Sequence, residues 1–145
     1  LVPFGPGEIA LAEAGPADAI VTFRNVHNFD EETRLLLHRE VFEALKSGGT
    51  YGIVDHTRRH MEYDNHENRR RIDPVLVIKE VQAAGFEFVD ESDINANPLD
   101  QPGEDDVVWR LPPSYGTSQE NDELRAKMRA IGESNRMTLK FRKPQ

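Results

Sequence analysis

Four short apolar segments along the chain predict the strands of a β-sheet. They are residues 19–23, 50–54, 86–89 and 136–142. The first is β-branched and aromatic with no polar alternation, which is typical of a strand covered on both faces. The last alternates polar and apolar residues, which is typical of a half-exposed antiparallel strand or of an edge strand.

Helical patterns lie between and after these segments. Residues 30–46 place leucine, valine and phenylalanine at helical spacing. Either Asn28 or Asp30 can cap that helix, and Gly48-Gly49 follows its last turn, where glycine favours a helix end. The other two helices are predicted over residues 73–84 and 123–131.

The order of these elements predicts an α/β fold. Two strand–helix units, a third strand, a long excursion over 92–135 and a terminal strand indicate part of a doubly wound, mostly parallel sheet with an antiparallel last strand. The excursion is rich in proline and largely aperiodic, and segments of that length are usually functional, so we interpret it as a possible substrate lid. We expect residues 1–145 to form part of a single domain.

Charge and composition exclude several functional classes. The 145 residues carry 18 Lys and Arg against 26 Asp and Glu, a net charge of −8, which argues against a nucleic-acid partner. No cysteine is present, so disulfides, thiolate metal sites and a cysteine nucleophile are excluded. No apolar run approaches the roughly 18 residues of a membrane span. We therefore expect no membrane partner, and we favour a cytoplasmic location.

Polar residues follow two of the predicted strands directly. Arg24, Asn25 and His27 come after the first strand, and Asp55 and His56 end the second. Ligands of open α/β sheets bind beyond the carboxyl ends of the strands, so these residues predict a shared pocket. His27 or His56 would act as general base and Asp55 would orient a histidine or the acceptor, whereas the alternative is that they only cap helices and turns.

Further polar and aromatic residues suit a substrate site, each with a structural alternative. Arg71, in a run of three arginines, could bind an anionic substrate or belong to a solvated face. Trp109 and Tyr115 could form an aromatic lid over the substrate or hold the loop to the sheet. His56 and His60 have the i, i+4 spacing of zinc ligands, but Thr57 stands where the HExxH motif needs glutamate, so we predict no metal; a zinc hydrolase is the alternative there.

An ordered set of segments resembles one known family. Residues 18–27, 42–56, 81–86 and 137–141 are similar to the fourth, fifth, sixth and seventh strand regions of class I, Rossmann-like S-adenosylmethionine-dependent methyltransferases. Residues 109–113 and 130–141 point more narrowly to a group of uncharacterised bacterial predicted methyltransferases. The resemblance implies methyl transfer from S-adenosylmethionine to an unidentified, small-molecule acceptor, with Arg24 and Asn25 as cofactor-binding residues.

One departure from the family changes what we expect of this chain. The family's glycine-rich turn follows its first strand, whereas Gly5-Pro6-Gly7 follows no predicted strand and its proline lacks an N–H donor. We therefore expect the chain to be the C-terminal part of a longer enzyme, without the cofactor-binding half. Alone it would be inactive and would associate as a homo-oligomer. The alternative is a non-catalytic α/β association module.

Overall fold

The described part of the chain is a four-stranded mixed sheet with helices packed on one face, plus a short hairpin. The computed structural model describes residues 4–5, 8–58, 70–103 and 106–145. The strands are β1 Phe4–Gly5, β2 Glu8–Ile9, β3 Ala17–Phe23, β4 Leu45–His56, β5 Glu87–Glu91 and β6 Arg136–Arg142. The α-helices are α1 Glu31–Ala44, α2 Pro74–Ala83 and α3 Asp122–Ile131. None of the described helices is long and apolar enough to cross a membrane.

The strand order in the main sheet is β3-β4-β6-β5. β3 and β4 are parallel, with Phe23 opposite Val54, and β6 is antiparallel to both of its neighbours. The prediction of an antiparallel last strand is confirmed. The alternative prediction, that this last strand lies at an edge of the sheet, is wrong, because β6 lies between β4 and β5. Its alternation arises because only Met137, Leu139 and Phe141 point into the core.

Helix α1 packs against α2 and β4, and the two helices cover the same side of the sheet. Asp30, rather than Asn28, caps α1, because its Oδ1 accepts a hydrogen bond from the backbone N–H of Thr33 at 2.9 Å. Asp73 caps α2 in the same way, accepting from the N–H of Val75 at 2.8 Å. The core between these helices and the sheet includes Tyr51, Ile53, Val77, Val81 and Phe141, all completely buried.

The first helix ends earlier than the sequence predicts. α1 ends at Ala44 and β4 begins at Leu45, so Gly48 and Gly49 lie inside the strand. They form an irregularity in the pairing: Ala17 is opposite Leu45, but Ala19 is opposite Thr50. A Cβ on Gly49 would lie 2.8 Å from the carbonyl oxygen of Lys46, so only glycine fits there. These glycines therefore serve a close backbone approach in the sheet rather than a helix end.

The other side of the sheet is exposed at β3 within the described residues. Val21 and Phe23 of β3 are 59% and 62% exposed, so the expectation that this strand is covered on both faces is not met there. Helices α1 and α2 lie on one side only, and the doubly wound arrangement stays a prediction for a longer chain. The structure describes only part of Gly5-Pro6-Gly7, which we expect not to be the family's glycine-rich turn. Gly5 lies in β1, and residues 6–7 fall outside the described part.

The excursion between β5 and β6 is fastened to the sheet by one buried carboxylate, that of Asp100. Its two oxygens accept hydrogen bonds from Arg71 Nη1 at 2.7 Å and Nη2 at 3.1 Å, and from the N–H of Asn135 at 2.8 Å. Arg110 Nη2 lies 3.4 Å from the same group. Because the carboxylate is fully buried, these donors replace water and hold three separate segments together.

Candidate functional site

The carboxyl ends of β3 and β4 meet in a network of buried polar groups. After Phe23 the chain turns at Arg24, whose φ of 52° is unusual for a residue with a side chain and whose N–H donates to the carbonyl of Val54 at 2.8 Å. A short 3-10 turn over Val26–Asn28 then carries His27 into the protein. The prediction that the two strand ends converge is confirmed.

Asp55 is the centre of this network. Its Oδ2 accepts from the N–H groups of Asn25 and His27, each at 3.2 Å. Its Oδ1 accepts from the N–H of His56 at 2.7 Å and lies 2.5 Å from His27 Nδ1. An ionised carboxylate only accepts hydrogen bonds, so we assign the proton in this contact to His27 Nδ1 and the lone pair to Nε2. Asp55 thereby sets the tautomer and orientation of His27.

His56 is the second imidazole at this edge, and its ring centroid is 4.9 Å from that of His27. Its Nδ1 is 2.6 Å from the hydroxyl oxygen of Ser134. Burial, together with the neighbouring His27, lowers the pKa of His56 from its usual 6.5 to about 4. His56 is therefore neutral at pH 7 and exchanges hydrogen bonds rather than carrying charge.

Both histidines border a cavity of about 240 Å³ at the strand ends. The excursion contributes lining residues from 108–109 and 111–114, and its role as a lid stays a prediction. The apolar lining is Phe23, Val108, Trp109, Leu111, Pro112 and Pro113, and the polar lining is Arg24, His27, Asn28, His56, Ser114 and Ser134. Such a mixture of apolar walls with a few convergent polar groups is typical of small-molecule sites.

The remaining predicted site residues lie outside this lining. Asn25 is half-buried and contributes its backbone N–H to Asp55. Tyr115 is half-buried, and its N–H donates to the carbonyl of Leu111. Arg71 is corrected most clearly: its side chain is 1% exposed and paired with Asp100, so it supports the excursion instead of facing a substrate here. His60 lies outside the described residues.

Sequence reasoning missed three residues that shape the site. Ser134 orients His56. Asp100 pairs with Arg110 and so joins its own part of the excursion to the part that lines the cavity. They lie in the aperiodic excursion or directly after α3, where no spacing rule connects them to the strand ends. The only available signal was the excursion itself, which predicted a functional segment without naming its residues.

The geometry also bears on metal binding. Ligand atoms of His27, Asp55 and His56 lie within 4.8 Å of one another, close enough to share an ion. However, both oxygens of Asp55 already accept hydrogen bonds, and the charges of Arg71 and Arg136 lower the pKa of His56. The surroundings therefore oppose a cation, and the absence of a metal stays a prediction.

Comparisons with known proteins identify the fold. No protein-family model and no curated protein sequence matches the chain. Among solved structures, the [4+2]-cyclase SpnF is 18% identical over 88% of this chain and 49% of its own, with a TM-score of 0.53. A methyltransferase of Haloferax volcanii, solved with the methyltransferase activator Trm112, is 14% identical over 90% of this chain and 55% of its own, with the same TM-score of 0.53.

A third structure has the same fold. A SAM-dependent methyltransferase from Archaeoglobus fulgidus is 11% identical over 94% of this chain and 66% of its own, with a TM-score of 0.50. The chain spans about half the length of the first two structures. At these identities the similarity concerns the fold alone. The described chain has a class I methyltransferase-like fold, as the resemblance of its strand segments implies.

Proposed function

We propose that this chain forms the acceptor-binding side of an S-adenosylmethionine-dependent methyltransferase acting on a small molecule, within a longer parent protein. The observation that carries the proposal is His27, which lies 2.5 Å from Asp55 and lines a cavity at the ends of two parallel strands. The same fold is found in SpnF, which is named a cyclase, so the fold by itself does not select the reaction. The site does.

The mechanism uses the chain's own groups mainly for positioning and for one proton. When bound, S-adenosylmethionine would supply a methyl group on a positively charged sulfur. Because the sulfur side is the leaving group and already carries a positive charge, it needs no proton from an acid. His27 Nε2 accepts the proton of the acceptor hydroxyl or amine, and Asp55 stabilises the resulting imidazolium. His56, held by Ser134, orients the acceptor through a hydrogen bond. The apolar wall over residues 108–113 excludes water.

The end of β3 fits one side of a cofactor site. Asn25 lies at that end with its side chain half-buried, and no described strand pairs with the outer edge of β3. Further strands of a parent protein could continue the sheet there. We assign Asn25 to cofactor contact and leave the glycine-rich half of the site to the rest of that protein.

The proposal is tested by titrating S-adenosylhomocysteine into the parent protein and into the 145-residue chain by calorimetry. We expect binding by the parent and at least tenfold weaker binding, about 1.4 kcal/mol, by this chain alone. In the parent, His27→Gln should lower turnover about 100-fold at neutral pH while leaving S-adenosylhomocysteine affinity unchanged. The remote variant Arg39→Gln is the control. A parent that does not bind S-adenosylhomocysteine would remove the proposal.

A second candidate function is association through the open side of the sheet. Val21 and Phe23 are exposed on neighbouring positions of one face of β3, and exposed apolar side chains at a sheet edge are typical of contact surfaces. Sedimentation of the chain should show a homo-oligomer, and Val21→Thr with Phe23→Ser should shift it toward monomer. A monodisperse monomer for the unsubstituted chain would contradict this candidate.

A further inference from the structure

The one formal charge in the described lining of the cavity is positive. Arg24 is the only formally charged side chain in the described lining. Arg70 lies just outside it, with its guanidinium carbon 5.5 Å from the centre of the Trp109 ring. The nearest carboxylate, Asp55, is buried beneath the histidines and receives hydrogen bonds on both oxygens. A ligand in this cavity therefore meets one cationic residue in the described lining, although the chain as a whole has a net charge of −8.

The backbone holds Arg24 in this place. Its φ of 52° lies in the left-handed region, where residues with side chains are uncommon and where strain often accompanies a functional site. The hydrogen bond from its N–H to the carbonyl of Val54 ties the turn to the next strand. Arg24 is thus held at the cavity edge by the same strand pair that positions the two histidines.

The walls of the cavity favour a flat ligand. Trp109 and Phe23 line the cavity and are 46% and 62% exposed, with Arg70 over the Trp109 ring. Pro112 and Pro113 add rigid apolar surface to the same wall. Aromatic rings stack on such surfaces, and a volume of about 240 Å³ holds a ring with small substituents.

We propose that the cavity binds an aromatic hydroxy acid, with its carboxylate at Arg24, its ring against Trp109 and its hydroxyl at His27 and His56. The role of the hydroxyl as methyl acceptor rests on the proposed function; binding of the acid does not. In the transfer, the hydroxyl oxygen forms a bond to the methyl carbon and the sulfur–methyl bond breaks, its electron pair remaining on sulfur. The hydroxyl proton passes to His27 Nε2, so charge and atoms balance.

Trp109 is the only tryptophan in the chain, so its fluorescence reports directly on this cavity. Three probes of the same shape class differ in charge: 4-hydroxybenzoate is an anion, 4-hydroxybenzamide is neutral and tyramine is a cation. Titrated into the 145-residue chain, 4-hydroxybenzoate should change the Trp109 signal saturably. We expect it to bind about fivefold more tightly than the amide, with tyramine weakest and with the preference declining in high salt.

Arginine variants distinguish recognition of the anion by Arg24 from a general effect of the charge of the chain. Arg24→Gln should remove the preference of the anion over the amide, while Arg24→Lys should retain part of it. Arg39→Gln removes the same charge from an exposed position on α1 and should leave the preference intact. Trp109→Phe should abolish the fluorescence change and leave the affinity, measured by calorimetry, within about threefold.

Several outcomes would overturn the proposal. They are equal affinity for the three probes, tighter binding of tyramine, no saturable signal with any probe, or an unchanged preference in Arg24→Gln. If Arg24 contacts the cofactor instead, its replacement will weaken S-adenosylhomocysteine binding by the parent and spare the benzoate. Because the probes are titrated without a methyl donor, binding of the acid can succeed while methyl transfer fails. The reverse result, methyl transfer by the parent to a non-acidic acceptor, would overturn this inference alone.

Discussion

The chain contains two buried networks of histidine and carboxylate, and they differ in what they face. The strand-tip network consists of His27, Asp55, His56 and Ser134 and borders the cavity. The helix-side network consists of Arg34, His38, Tyr51 and Glu80 and lies under α1 and α2, outside the lining of that cavity. There Arg34 forms a two-point ion pair with Glu80, at 2.9 and 2.8 Å, and His38 Nδ1 is 3.2 Å from the Tyr51 hydroxyl.

This comparison shows that a shifted pKa does not by itself mark a functional histidine. Burial lowers the pKa of His38 to about 4, as it does for His56, with Arg34 adding to the shift at His38. Burial likewise raises the pKa of Tyr51. What separates the two networks is access: a ligand can reach His56 from the cavity, whereas His38 is completely enclosed. The helix-side network stabilises the fold, and the strand-tip network is available for chemistry.

The largest expected effect is on the helix-side network. Glu80→Ala leaves the Arg34 guanidinium buried without its carboxylate, and breaking such a pair costs about 3–5 kcal/mol in the free energy of unfolding. Urea denaturation measures it. Glu87→Ala is the matched control, because the Glu87–Arg142 pair is exposed and should contribute less than about 1 kcal/mol. Equal losses in the two variants would show that the Arg34–Glu80 pair is not structural.

A smaller loss is expected at the strand-tip network. Asp55→Asn keeps the shape of the side chain but removes the charge that accepts hydrogen bonds from Asn25, His27 and His56, costing about 2–3 kcal/mol. Long-range proton–nitrogen spectra should show a changed tautomer of His27 and an unchanged His38. If both histidines change together, the two networks are not independent.

The pH dependence of stability tests both networks at once. The pKa values of His38 and His56 are about 4 in the folded chain, below the usual 6.5 of the unfolded chain. The contribution of these two neutral histidines to the free energy of unfolding is therefore complete above pH 6.5 and is lost as the pH falls toward 4. In that window, each pH unit of acidification lowers the free energy of unfolding by about 1.4 kcal/mol per histidine.

Denaturation at pH 7, 6 and 5 measures this slope. His38→Gln should remove about half of it, since the His56 contribution remains. A slope that is unchanged in His38→Gln would show that burial does not lower the pKa of this histidine. A saturating aromatic acid in the cavity should raise the pKa of His56 and leave that of His38 unchanged, which separates the two networks by access alone.

The smallest effect is expected from Ser134→Ala. It removes the hydrogen bond to His56 Nδ1 and should cost about 1 kcal/mol, with altered nitrogen shifts of His56 but not of His38. Ser114→Ala, an exposed residue of the same cavity lining, should stay within about 0.5 kcal/mol of the unsubstituted chain. Unaltered His56 shifts in Ser134→Ala would mean that this hydroxyl does not orient the ring.

Local patterns predicted the elements well because the period of apolar positions directly reflects which face is buried. The terminal strand has the predicted limits, 136–142, and the predicted helices over 73–84 and 123–131 lie within one residue of α2 and α3 at each end. The error at Gly48-Gly49 has a physical reason. Glycine permits both a helix end and a close backbone approach in a sheet, and the neighbouring strand that selects between them is remote in sequence.

The sequence by itself determined that polar groups follow two strands, and a parallel pairing then brings His27 and Asp55 together. Only the tertiary structure decided that Arg71 is bound by Asp100, that Ser134 holds His56 and that Trp109 lines the cavity. The difference is one of regularity. Strand ends follow from local periodicity and regular strand pairing, whereas these contacts depend on how an aperiodic excursion folds back over the sheet.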